Sequence, residues 1–141
     1  MKREKRLDSK VIQIDLADYY TKRKLPFRDS SVTLLSASHV FEKIPRERFM
    51  SFMDECWRVL KIDGQMRVAA YYGGSTPFWA DPYHVNGLTI QSWSFFDPTM
   101  MGGNLYKKYS PKPWKVAQCY IQVECTMEVL LIKRAVAKNY D

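Results

Sequence analysis

Apolar and polar positions alternate in short runs along the first third of the chain. Val11–Leu16 (Val-Ile-Gln-Ile-Asp-Leu) is a brief β-branched run and predicts a strand. Val32–Ala37 (Val-Thr-Leu-Leu-Ser-Ala) is nearly continuous in apolar residues and predicts a second strand, buried on both faces. Between them lie a polar, basic stretch, Leu25-Pro26-Phe27, and a turn at Arg28–Ser31. From Pro45 the period changes. Phe49, Phe52, Met53, Cys56 and Leu60 recur at helical spacing, and proline is well placed to open that helix. Asp63-Gly64 is expected to end it, with Gly64 as a left-handed cap. Gln65–Tyr72 predicts a third strand, and Gly73–Pro77 a flexible turn.

The stretch 78–113 has no clean period and is rich in aromatics, Gly, Pro and Met. It predicts a long excursion with a short helix near Thr89–Phe96. Excursions of this length in compact domains are usually functional. Trp114–Val123 and Cys125–Arg134 predict a closing hairpin. The expected order is β-β-α-β-excursion-β-β, in a single domain over residues 11–141 preceded by a flexible basic tail over 1–10.

Composition narrows the function classes. The 141 residues are 46% hydrophobic and 26% charged, an ordinary globular balance. No apolar run is long enough to span a membrane, and the charged start lacks a secretory pattern, so a cytoplasmic protein is expected. The three cysteines, Cys56, Cys119 and Cys125, form no Cys-x-x-Cys pair, and there are only two histidines. A zinc or histidine-rich metal site is therefore not expected. The formal net charge of +7 suits an anionic partner, and a basic nucleic-acid-binding module is one reading of it. Phe78, Trp79, Trp93, Phe95 and Phe96 could stack a base or pack a core. Residues 78–100 hold no Lys or Arg, which argues against a nucleic-acid groove there.

An ordered set of segments carries a family resemblance. These are Leu-Pro-Phe-Arg-Asp-Ser-Ser-Val (25–32), Ser-Ala-Ser-His-Val-Phe-Glu-Lys-Ile-Pro (36–45), Glu-Cys-Trp-Arg-Val-Leu-Lys-Ile-Asp-Gly (55–64), and Asp-Pro-Tyr-His (81–84) followed by Ser-Trp-Ser-Phe (92–95). Together they resemble the second half of class I S-adenosylmethionine-dependent methyltransferases, over roughly residues 11–134. The resemblance implies an α/β fold: a truncated Rossmann-like methyltransferase sheet, strands three to seven, with a C-terminal antiparallel hairpin. It implies S-adenosylmethionine as cofactor, near Asp15 or Asp18 and the Ser36–Ala37–Ser38 turn, with His39 beside that turn. It also places Asp81, Tyr83 and His84 on the substrate side, with Asp81 and His84 as candidate acid–base groups. Glu42 stands ready to cap a helix or orient a neighbour, and Glu55 with Arg58 to form an ion pair. Asp15 can equally end a strand, and the serines can satisfy local backbone groups.

The departures from the family pattern are as specific. No Gly-x-Gly-x-Gly loop precedes Asp15, and the ten residues before Val11 are too few for a strand, loop and helix. Pro-Gly-Gly is replaced by Ile62-Asp63-Gly64, and Lys43 and Thr33 stand where the family has His and Asp. Without family strands one and two, strand four has a bare edge. Either strand three closes onto it, or a second chain covers it, so an oligomer or a partner chain is expected. Three functions follow: a methyltransferase whose site is completed by another chain, an inactive remnant used as an interaction protein, or the basic nucleic-acid module.

Overall fold

A computed structural model describes residues 11–15, 19 and 23–140; the basic tail over 1–10 and Asp18 lie outside the described residues. Five strands form one sheet: β1 (Val11–Gln13), β2 (Val32–Ser38), β3 (Leu60–Tyr71), β4 (Trp114–Ile121) and β5 (Thr126–Lys133). Their order is β1-β2-β3-β5-β4. β1, β2 and β3 run parallel, whereas β5 is antiparallel to both β3 and β4. Among the described residues, three α-helices with defined bounds accompany them: α1 (Arg46–Val59), α2 (Thr76–Ala80) and α3 (Asn104–Tyr109). Tight 3-10 turns occupy Phe41–Lys43, Ile90–Phe96 and Met100–Gly103. No helix among the described residues is long and apolar enough to cross a membrane.

The edge question resolves in favour of direct closure. β1 pairs with β2, with Val11 beside Leu34 and Gln13 beside Ser36, so the three-residue β1 is the edge. The expectation that β2 is buried on both faces does not hold. Leu35 and Ala37 are buried, while Leu34 and Ser36 on the other side stay partly exposed. The buried face continues through Met66, Val68 and Ala70 of β3 and Met127, Val129 and Leu131 of β5. It packs with Phe49, Phe52, Met53 and Cys56 of α1, and with Trp93 and Phe96 of the excursion, in one cluster. No described element covers the opposite face, where Ser36, Arg67, Leu130 and Gln118 form one row. A parallel sheet normally carries helices on both faces.

The end of α1 also differs from the sequence expectation. The helix stops at Val59, because Leu60 already has extended dihedrals and starts β3. The left-handed residue is Asp63 at φ 64°, a conformation a short polar side chain tolerates, and not Gly64. Gly64 is needed for space, since a Cβ there would lie 2.7 Å from the Lys61 carbonyl oxygen. The predicted flexible turn at 73–77 is partly helical: the Ser75 side chain accepts a hydrogen bond from the Phe78 N–H, and Pro77 lies in the first turn of α2. The short helix expected near Thr89 is present as a 3-10 turn, capped reciprocally by Thr89 and Ser92.

Two devices hold the excursion to the sheet. The first is Asp97, whose carboxylate is buried. It accepts hydrogen bonds from the Thr99 N–H (2.9 Å), the Thr99 hydroxyl (2.8 Å) and the Val116 N–H of β4 (2.9 Å), and it meets Arg134 at 3.4 Å. The second is a backbone contact between Gly73 and Gly87. The Gly73 N–H donates to the Leu88 carbonyl at 2.8 Å, and a Cβ on Gly73 would lie 2.8 Å from the Gly87 carbonyl carbon. That neighbour is backbone and cannot step aside. Gly73→Ala is expected to cost about 1–3 kcal/mol through overpacking, read as a lower urea midpoint with an unchanged slope.

Candidate functional site

Because β1, β2 and β3 are parallel, their carboxyl ends lie along one edge, where open α/β sheets bind ligands. The Ile14 N–H donates to the Ser36 carbonyl at 2.9 Å, so Asp15 continues beside Ser38. Strand alternation puts Ser36 and Ser38 on the open face. It turns Ala37 the other way, fully buried, so only its backbone can face a ligand. The strand ends at Ser38, and the next residue, His39, takes φ 54° and donates its N–H to the Ala69 carbonyl at 2.7 Å. Few non-glycine residues adopt the left-handed region, and histidine is among the types that do so most readily.

That backbone turn aims the imidazole into an open recess shared with Lys43, Tyr71, Asp81, Tyr83 and His84. The 3-10 turn that follows places Glu42 underneath. The Glu42 side chain is 1% exposed, and its Oε2 accepts from the His39 Nδ1 at 2.8 Å and from the Tyr71 N–H at 2.9 Å. The Glu42 carbonyl in turn accepts from the Val85 N–H (2.7 Å) and the Asn86 N–H (3.0 Å), which fixes the far wall. Its Oε1 is buried with no hydrogen-bond partner among the described residues. The His39 ring rests against Tyr71 at 4.6 Å between centroids.

Asp81 and His84 meet here as well. The His84 Nδ1 lies 2.7 Å from the Phe78 carbonyl, so it donates there, and its Nε2 is 3.5 Å from Asp81 Oδ2. Asp81 Oδ1 accepts from the Tyr83 N–H at 2.9 Å and tightens the turn. The His84 side chain is only 5% exposed, whereas that of His39 is 41% exposed. The structure thus gathers His39, Asp81 and His84 around one recess. Asp15, Ser36 and Ser38 lie on the open face instead. The sequence reading grouped His39 with the cofactor residues and did not place it with Asp81 and His84. Its signal was the acidic residue three positions later, at helical spacing.

The remaining groups are structural. Glu55 and Arg58 pair as expected at 2.6 Å, and Arg58 also holds Asp29 at 2.7 Å and the Leu25 carbonyl. The side-chain hydrogen bond from Arg58 keeps the Asp29 carboxyl below its usual range. Burial pushes the Cys56 thiol far up and the Cys119 thiol up, so neither is an activated nucleophile. No group of three potential metal ligands occurs among the described residues.

Residues 1–68, just under half of the chain, match the family model of a methyltransferase domain. The folded chain superposes on methyltransferases of known structure. This is a class I methyltransferase fold. One match is a chain of the complex between the Haloferax volcanii Trm112 methyltransferase activator and a methyltransferase candidate. There the TM-score is 0.58 at 12% identity, over 82% of this chain and 60% of that one. A SAM dependent methyltransferase from Archaeoglobus fulgidus gives 0.55 at 12% identity, over 86% and 66%. The YcgJ protein of a Bacillus gives 0.51 at 14%, over 80% and 68%. This chain therefore spans 60–68% of the length of these relatives in structure. No curated protein matches in sequence.

Class I methyltransferases use S-adenosylmethionine, and the site residues can be tested against that group. Asp15, Ser36 and Ser38 offer polar atoms along one flank. The other flank requires a backbone that approaches the ligand closely, which glycines provide. The first glycine of the sequence is Gly64, beyond β1 and β2. With β1 directly against β2, one strand spacing of about 4.8 Å separates Asp15 from the Ser38 strand. Asp15, Ser36 and Ser38 would offer such a group polar atoms on one side only, and the described residues do not by themselves enclose it.

Proposed function

We propose that these residues form the acceptor-side half of an S-adenosylmethionine-dependent methyltransferase site, and that glycine-rich backbone from outside residues 1–63, brought in by assembly with another chain, completes the cofactor cradle. One observation carries the reading. Asp15, Ser36 and Ser38 lie along the carboxyl ends of the parallel strands, yet residues 1–63 contain no glycine. The open sheet face, with Leu34, Leu130 and Ile132 partly exposed among Ser36, Gln65 and Arg67, is the surface such a chain would cover. The Haloferax volcanii relative was solved with an activator protein, which supports assembly as a mode of use for this fold.

The test compares two samples by equilibrium dialysis with labelled S-adenosylmethionine at millimolar concentration. The isolated chain is expected to retain none. The assembly recovered from its native source, sized by light scattering, is expected to retain one per chain. Saturable binding to the isolated monomer would refute the partner requirement. An assembly that forms and binds no cofactor would leave the second reading, an interaction protein derived from a methyltransferase. That reading has its own support in the substitution of Lys43 and Thr33 for the family's His and Asp.

A further inference from the structure

We infer that His39 is the proton acceptor of the recess, that Glu42 is its positioning residue, and that the bound acceptor is a molecule offering a hydroxyl or amine hydrogen. The inference rests on the methyltransferase reading for its purpose, but its geometry stands alone. Glu42 Oε2 is an acceptor, so the 2.8 Å contact requires the proton to sit on His39 Nδ1. The carboxylate cannot drift, because Tyr71 N–H holds the same oxygen and the side chain is almost wholly buried. A neutral imidazole with Nδ1–H carries its lone pair on Nε2, and the His39 side chain is 41% exposed. No described residue donates to that nitrogen, and it lies in a recess with two exposed or half-exposed tyrosines.

The other histidine cannot take this role in the observed state. The His84 side chain is buried and donates Nδ1–H to the Phe78 carbonyl, while Asp81 flanks its Nε2. The charged groups facing His39 are Glu42 beneath it, and Lys43 and Asp81 around the recess. When Nε2 accepts a proton, the O–H bond of a hydroxyl, or one N–H bond of a protonated amine, breaks and its electron pair stays on oxygen or nitrogen. The imidazolium formed is held against the Glu42 carboxylate. This is the general-base arrangement in which a carboxylate fixes one tautomer. The partnerless Glu42 Oε1 fits a residue kept for orientation at the expense of complete hydrogen bonding.

With only two imidazoles in the sequence, nitrogen-15 NMR of the isolated chain reads the tautomer directly. Neutral His39 is expected to carry its proton on Nδ1. Glu42→Gln, whose amide oxygen still accepts, should keep that form, and Glu42→Met should shift it to the Nε2–H form usual in water. Diethyl pyrocarbonate should acylate His39 and leave His84 intact in the folded protein. A wild-type Nε2–H tautomer, or no acylation of His39, overturns the assignment even if Glu42→Met fails to fold. An unchanged tautomer in folded Glu42→Met removes Glu42 from its role. None of these measurements uses S-adenosylmethionine, so their failure is separable from failure of the methyltransferase reading.

Discussion

Asp97→Ala is expected to destabilise the fold by about 3–5 kcal/mol, the usual cost of removing one partner from a buried, hydrogen-bonded charge pair. The carboxylate is 2% exposed and joins the start of the 98–103 segment, the backbone of β4 and Arg134. Its loss leaves the Val116 N–H without an acceptor at the point where β4 has its register irregularity. For a domain of this size the melting temperature should fall by roughly 10–20 °C. Asp97→Asn should fall between, since an amide oxygen still accepts from Thr99 or Val116. A loss below about 1 kcal/mol in urea titration would show that the 97–99 turn holds itself without the carboxylate.

Phe41→Ala is the second large effect, also about 3–5 kcal/mol. The ring is fully buried and lies edge-on to Phe49, Phe52 and Trp93 at 5.8, 5.3 and 5.5 Å. It therefore anchors α1 and the excursion to the 3-10 turn that carries Glu42. The Phe41 carbonyl also accepts from the buried Asn86 amide at 3.2 Å. Beyond the stability loss, amide exchange at Tyr71 should accelerate, because the Glu42 side chain that receives its N–H rides on the same turn. Unchanged Tyr71 protection in a folded Phe41→Ala variant would uncouple the core from the site.

Much of this architecture was legible in the sequence, for physical reasons. The α1 stripe repeats at 3.6 residues, so Phe49, Phe52, Met53 and Cys56 announce their buried face. The closing hairpin is marked by two apolar runs around a short polar link, and it forms within a few residues of the expected bounds. The helix end was misplaced because Asp-Gly suggests a cap, while Leu60 was already drawn into β3 beside Val32 by strand pairing. The half-open state of β2 could not be read from its apolar run, since that run records what the strand can bury and not what lies above it. The site was half legible. Asp81 and His84 are near in sequence, but their approach to His39 depends on the Val85 and Asn86 bonds to Glu42, more than forty residues away in the chain.

The Gly73–Gly87 contact has a kinetic consequence. It clamps the end of β3 to the segment after His84, and the Glu42 carbonyl clamps the same segment two residues earlier. Both jaws of the recess are thus locked before any ligand arrives. Little conformational entropy of these segments remains to be lost on entry. Capture by this half should follow a single exponential whose rate scales with ligand concentration without a plateau, as docking into a preset mould requires.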